Sequence, residues 1–549
     1  MQAFADFSDN LLGGLILVGL SLTVGSIVFG AIVLQPWRRH VPTAVLHRFF
    51  GLLVLGSIGL AAAQAAQIAL KLLLLADYLG PGSAATFFET TQGRAGLART
   101  LLALVPAALA RGLARRPQSR ARWSATLLAA LALLVSGAWL VHAAGRLESR
   151  GLLMTLTVLH QVGATIWVGG LIQIVGLAAL CRRDSEARAV WPTAVSRFSG
   201  LALASVVLLI APVLPLARVY VATWKGLFGS GYGSLILTKA FLMLAALALA
   251  AFNFGAVRRW RGHGESLELR ERVPRLLEAE GLIAVVLLFA AASLSSQPPS
   301  VDSRAEQATV PEVLEVFRPK LPDLRTPSIE SMSIDPSDPY AVAGGERTAA
   351  AYSWSNFSHN VSGLFLLAMG VVALAGWLLG VSWARHWPLG FAALAVFIFL
   401  RTSANDQTWP FGDKSFWENA FGEAEVLQHR LAAFLALAIG LLEWRARAGG
   451  SRTRLPYVFP MLAAAGGILL LTHSHAAFEA KSSFLVQVTH TVMGALAVVM
   501  AATRLLELRL APPASRIAGT LSTVAMVLIA LVLVFYREAN VVVSDVALR

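Results

Sequence analysis

The sequence predicts an all-α polytopic membrane protein with about fourteen transmembrane helices in two bundles, eight and then six, joined by an extracytoplasmic linker. Three observations carry this. Of 549 residues, 56% are hydrophobic and 14% charged. Many apolar runs reach the roughly 17–25 residues that a tilted helix needs to cross a bilayer. One long polar stretch, 297–350, interrupts them. A soluble chain of this length would show polar surface throughout, and lipid-facing backbone amides can only be satisfied internally, so the runs are read as helices.

In chain order the runs fall at 10–34, 46–75, 97–112, 123–145, 151–180, 196–217, 233–256 and 276–296, then at 353–380, 387–402, 427–444, 456–475, 483–505 and 516–536. The expected division is therefore 1–296, an eight-helix membrane module; 297–350, an extracytoplasmic linker; and 351–549, a six-helix module. The linker is rich in Pro, Ser and Asp, a composition that builds little core of its own. The opening MQAFADFSDN has no basic region and carries Asp6 and Asp9, so it does not resemble a cleaved signal peptide and the first helix is expected to stay. No internal repeat connects the two groups.

The net charge of +14 does not point to nucleic acid, because the arginines are confined to short segments between apolar runs. One set holds Arg38, Arg39 and Arg48; Arg111, Arg115, Arg116, Arg120 and Arg122; Arg182, Arg183 and Arg188; and Arg258, Arg259, Arg261, Arg270, Arg272 and Arg275. It continues with Arg385; Arg445, Arg447, Arg452 and Arg454; and Arg504, Arg509 and Arg516. These loops alternate with poorly basic ones and are assigned to the cytoplasm, which puts both termini outside. A single cysteine, Cys181, excludes an intrachain disulfide and any CxxC metal site. No nucleotide-binding loop and no Asp-Lys-Thr-Gly-Thr phosphorylation motif occurs, and no Ser-His-Asp arrangement stands out. Transport or metal binding is thus expected rather than catalysis, with a redox role as the alternative.

The arginine pattern sorts the eleven histidines by side. His40, His47, His263 and His386 fall in cytoplasmic loops; His142, His160, His359, His429, His473, His475 and His490 fall in outer helix halves or just beyond. Histidine is at home at an interface, which accounts for any one of these. Four helices each bringing imidazole to one side are better explained by convergence, and intramembrane ionisable residues are functional candidates by default. Imidazole suits copper, zinc and haem iron, whereas magnesium and calcium demand oxygen donors. His473 and His475 point about 200° apart on a continuous helix, so both serve one metal only if the helix ends at the THSH turn. The loop 403–426 adds Asp406, Asp413, Glu418, Glu423 and Glu425, either an ordinary solvated surface or an attraction for cations. His142 and His160 flank a short turn and form a second candidate pair, for metal or haem.

The segments HQVGATIWVGGL at 160–171, YGSLILTKAFLMLAALALAAFN at 232–253 and EAEGLIAVVLLFAAASLSSQPP at 278–299 together resemble the CopD copper-resistance family of bacterial inner-membrane proteins. PFGDKSFWENAFGEAEVLQHR and THSHAAFE are similar to the C-terminal extension of its long members. The resemblance implies copper homeostasis at the bacterial inner (plasma) membrane, copper ion as the bound species, and exchange with a periplasmic copper-binding protein. By it, His160, Trp167, Lys239, Asn253 and Glu280 match family positions. From the residues alone, Lys239 should snorkel or pair with an acid, Glu278 and Glu280 read as helix-terminal charges, and Gly169 and Gly170 permit close helix approach. Reduced copper prefers sulfur donors, yet only nine methionines occur and none form a ladder. Met493, three residues after His490, shares its face and is the candidate axial ligand; Met154 fits less well beside His160. The alternative function is a b-type haem electron carrier or cupric reductase using paired outer histidines. A third is an assembly module docking through its outer loop.

Overall fold

A computed structural model describes residues 2–80, 82–140, 145–146, 148–263, 267–328, 331, 349–405, 407–422, 424–449, 454–472 and 480–538. The main helices are α1 Gln2–Phe29, α2 Thr43–Leu79, α3 Thr91–Arg115, α4 Arg120–Gly137, α5 Arg150–Cys181, α6 Ser185–Ile210, α7 Gly231–His263 and α8 Val273–Ser296. After the polar stretch come α9 Ala349–Leu379, α10 Leu389–Asn405, α11 Ala424–Ala448, α12 Val458–Leu471, α13 Ala480–Arg509 and α14 Ala514–Val534. Among the described residues twelve of these are long and apolar enough to cross a membrane, and α10 and α12 are shorter apolar helices. There is no strand among the described residues, only one bridge between Thr408 and Lys414. The chain is an all-α polytopic membrane protein, as its apolar runs predict.

Two differences from the apolar runs have physical causes. The run 196–217 is broken after Ile210, and a separate short helix, Val213–Tyr220, follows. Pro212 stands at the break, where it has no N–H to donate and its ring clashes with the preceding turn. Conversely, α11 runs on past 444 through Arg447, and Arg504, which the charge pattern assigns to a loop although its apolar run reaches 505, lies within α13. The side chain of Glu443, fully buried, accepts from Arg447 at 2.7 Å and from Arg504 at 2.8 Å, and Glu507 takes Arg504 at 2.7 Å. Paired charges extend a helix that unpaired ones would end.

The chain forms two compact units. One comprises Ser8–Tyr220 and Met243–Ser296. Here α2, α3 and α4 pack in sequence, and α5 packs on α6, α8 and α2. Polar side chains cap the starts of several helices: Thr90 accepts from Gly93 N at 3.1 Å and Asp184 from Ala187 N at 2.9 Å. A Cβ on Gly169 would press on the Ser21 carbonyl and lie 2.8 Å from Gly25 Cα, so α1 and α5 touch backbone to backbone. Gln173 secures that crossing with a 2.7 Å bond to Ser26 Oγ.

The other unit comprises Met1–Phe7, Val221–Leu242 and Gln297–Arg549. Each of α9 to α14 packs against the next, and α9 closes on α14, giving a six-helix ring. Because successive helices alternate in direction, α9, α11 and α13 begin at the end of the ring where α10, α12 and α14 finish. The described part of the polar stretch is laced onto this unit. Ala308 N donates to Gly229 O at 2.9 Å, and a short helix, Val310–Val316, has a capping box from Thr309 and Glu312. A small core of Ala308, Val313, Val316 and Phe317 with Phe484 and Val488 joins it to α13, and Lys481 bonds Glu312 at 2.6 Å. Further along, Asp323 N donates to Asn360 Oδ1 at 2.6 Å and Thr326 Oγ1 accepts from Arg401 at 3.0 Å. Its apolar residues pack on α13 rather than forming a core of their own.

Candidate functional site

Inside the six-helix ring lies a cavity of about 520 Å³. His359 from α9, His429 from α11 and His490 from α13 all line it, together with Met493, Glu425, Gln428, Arg401 and Trp354. The alternation of helix direction brings these histidines to one end: each lies near the start of its helix, roughly one to three turns in. The rings of His359 and His429 are 6.3 Å apart between centroids, and those of His359 and His490 5.8 Å. Tyr536, just past α14, stacks on His359 at 4.1 Å.

The three rings are held alike. Nδ1 of His359 bonds the carbonyl of Ser355 at 2.8 Å, that of His429 the carbonyl of Glu425 at 2.8 Å, and that of His490 the carbonyl of Val486 at 3.0 Å. Each carbonyl belongs to the residue one turn earlier. A carbonyl can only accept, so Nδ1 must be the protonated nitrogen of each neutral ring, and Nε2 carries the lone pair. That is the tautomer a metal-ligating imidazole needs, with its other nitrogen fixed by a backbone acceptor. Among the described residues, however, no group of three or more His, Cys, Asp or Glu side chains is gathered closely enough to hold a metal ion. His490 is 4% and Met493 2% exposed, so both are core residues of the ring as well as cavity lining.

Of the other histidines that the charge pattern assigns to the outer side, His142, His473 and His475 lie outside the described residues, as do the loop acids Asp406 and Glu423. His160 is on α5, its Nδ1 2.7 Å from the Leu209 carbonyl of α6. Sequence reasoning missed three residues at the cavity. Arg401 sits 3.3 Å over the Trp354 ring and donates to Ser358 Oγ at 3.2 Å. It is a lone cation inside an apolar run, the kind of residue that intramembrane rarity singles out. Gln428 is buried beside His429 with neither amide atom hydrogen-bonded, and Tyr536 carries no signal in its sequence context.

A second polar cluster lies in the unit formed by Ser8–Tyr220 and Met243–Ser296. Glu280 on α8 is 2% exposed. Trp167 of α5 donates Nε1–H to its Oε1 at 3.3 Å, and Asn253 of α7 donates Nδ2–H to its Oε2 at 3.0 Å. The three border a cavity of about 290 Å³ whose other lining is almost wholly apolar. Glu280 is therefore not a helix-terminal charge; Glu278, two residues earlier and on another face, is the one that pairs with an arginine, Arg182, at 3.1 Å. Lys239, roughly four turns before Asn253 on α7, is not in the lining and makes no ion pair among the described residues.

Fold and site together define a polytopic helical membrane protein in which, among the described residues, one cavity is rich in imidazole and another is built on a lone carboxyl. Residues 192–294, which include Asn253 and Glu280, match the family described as Copper resistance protein D. Copper transport protein CutJ of Bacillus subtilis (strain 168) is 31% identical over 176 residues. The match covers 32% of this chain and 31% of that protein, so the chain spans about a third of the curated relative's length. No solved structure matches.

Proposed function

We propose that the protein handles copper in the inner membrane, binding it at extracytoplasmic histidines and moving it across the bilayer. The observation that carries this reading is the meeting of His359, His429 and His490 on one cavity, each with Nδ1 tied to a backbone carbonyl. Imidazole lone pairs suit oxidised copper, and Met493 adds a thioether for the reduced ion. The ring centroids are 5.8 and 6.3 Å from that of His359, so modest side-chain rotation is the step that would close the rings around an ion. The match to the CopD family and the likeness to a copper transport protein support copper as cargo. His142, His160, His473 and His475 belong to the same proposal as outer capture sites, with a periplasmic copper-binding protein as the donor or acceptor.

The test is copper content of purified full-length protein, followed by flux in liposomes. Replacing His429 and His490 together by alanine should abolish retained copper; unchanged content would end the histidine reading.

The second reading is a b-type haem protein. It is favoured by a cavity of about 520 Å³, far larger than a lone ion requires, and by His359 and His429 as a pair of imidazoles from neighbouring sides of one ring. Haem iron takes axial imidazole, and Arg401 would face its carboxylates. Purified protein showing a Soret band with stoichiometric iron selects this reading, and colourless protein that retains copper removes it.

A further inference from the structure

The carboxyl of Glu280 is buried within the membrane span without a compensating cation. Both its hydrogen-bond partners, the Trp167 indole and the Asn253 amide, are neutral. Among the described residues it is the one titratable group lining its cavity, whose other polar members are Trp167, Ser199 and Asn253. Lys239 of α7, unpaired among the described residues, lies roughly four turns from Asn253 and outside the cavity lining, and other charges on the surrounding elements are engaged elsewhere. Arg182 at the end of α5 takes Glu278 at 3.1 Å, and Arg197 of α6 donates to Gln35 Oε1 at 3.0 Å. Arg259 of α7 takes Glu268 at 2.7 Å, and Asp9 of α1 faces Lys71 at 3.9 Å. A lone anion in such a place is strongly disfavoured, and proteins avoid it by keeping the group protonated.

The amide beside it is suited to both protonation states. Asn253 is 7% exposed, and its Oδ1 has no hydrogen-bond partner. As placed, the amide donates Nδ2–H to the carboxyl, the orientation an ionised or carbonyl oxygen needs. A half-turn of the amide, which exchanges nearly isosteric atoms, presents Oδ1 to accept an acid proton instead. The unsatisfied Oδ1 is thus an acceptor held in reserve.

We propose that Glu280 and Asn253 form a proton-exchange site: Glu280 holds a proton on its carboxyl while the cavity is dry, and yields it to water when the cavity fills. The proton leaves as hydronium, the carboxylate stays behind, and the Asn253 amide turns from acceptor to donor. The ligand is the proton itself, and the site is independent of the histidine cavity and of what that cavity binds.

Infrared spectroscopy of the full-length protein in detergent tests this. At neutral pH the wild type should show a protonated-carboxyl C=O stretch that is lost in Glu280→Gln, retained in Glu278→Gln, and shifted in D2O within the time of buffer exchange. Its reversible conversion to a carboxylate band at alkaline pH completes the expected pattern. Absence of the band at neutral pH, its survival in Glu280→Gln, or its failure to shift in D2O overturns the proposal. Should Glu280→Gln fail to fold, Trp167→Phe keeps the acid and removes one donor: the band should move to higher frequency, and an unmoved band overturns the assignment.

Discussion

At the scale of single residues, position along a helix matters less than what meets the side chain across it. His359, His429 and His490 share one device, an Nδ1 bond to a carbonyl one turn earlier, which fixes both tautomer and ring direction. Met493 lines the same cavity three residues after His490 and is 2% exposed. Leucine matches methionine in volume, and such exchanges in cores cost less than about 1.5 kcal/mol. Met493→Leu should therefore leave thermal unfolding nearly unchanged, lower retention of reduced copper, and spare oxidised copper, because only the soft ion favours a thioether. Metal analysis after equilibration under reducing and under oxidising conditions checks it, and equal losses of both ions would assign Met493 to packing. The sequence made the histidines legible, since their rarity in apolar runs draws attention to them. It left Glu280 ambiguous: Glu278 and Glu280 look alike in a run beginning with charge, and only the crossing of α5 and α7 separates a paired surface carboxylate from a buried acid.

At the scale of elements, close approach and charge pairing explain what periodicity cannot. The contact of α1 with α5 depends on hydrogen at Gly169, where a Cβ would meet the Ser21 carbonyl and Gly25 Cα. Gly169→Ala should cost about 1–3 kcal/mol, the range for forcing an extra carbon into a packed interior. The helix interior itself favours alanine, so a stabilised variant in thermal denaturation would contradict the backbone contact. The short helix Val310–Val316 makes a pH prediction. Burial works against ionisation of Glu312, but bonds from Lys481 and from Thr309 N–H and Oγ–H outweigh it and hold the carboxyl below its ordinary range. A carboxylate favoured by folding contributes stability that is complete above its unfolded pKa of about 4.3 and disappears as pH falls through the lower folded value. Glu312 is partly exposed, so the effect is local and small. Amide exchange across 309–317 should accelerate relative to α13 on acidification into that range, and Glu312→Gln should exchange fast at neutral pH as well. Each main helix overlaps an apolar run, yet the run ending at 444 does not show that α11 continues through Arg447. Glu443 and Arg447 are one turn apart, but the Arg504 that shares this buried carboxylate is too far along the chain for a local window to find.

At the scale of the whole molecule, the arginine-bearing loops and the polar stretch are assigned to opposite faces of the membrane by charge bias alone. The histidine proposal depends on that assignment, because capture from outside requires the end of the ring that holds His359, His429 and His490 to face outward. Since the C-terminal end of α10 carries Arg401, which bonds Thr326 of the polar stretch, labelling that stretch reports the side on which the cavity lies. Cys181 is the chain's single cysteine, so Cys181→Ser provides a clean background for introducing a thiol. Leu321 is 90% exposed in the polar stretch, and Gln118 is exposed between α3 and α4 in an arginine-rich loop. In intact cells treated with a membrane-impermeant maleimide, Leu321→Cys should label and Gln118→Cys should not, with Gln118→Cys becoming reactive once the membrane is opened. The reverse pattern would put the histidine cavity at the cytoplasmic face, turning capture of incoming copper into loading from the cell interior while leaving the chemistry of the three imidazoles unchanged.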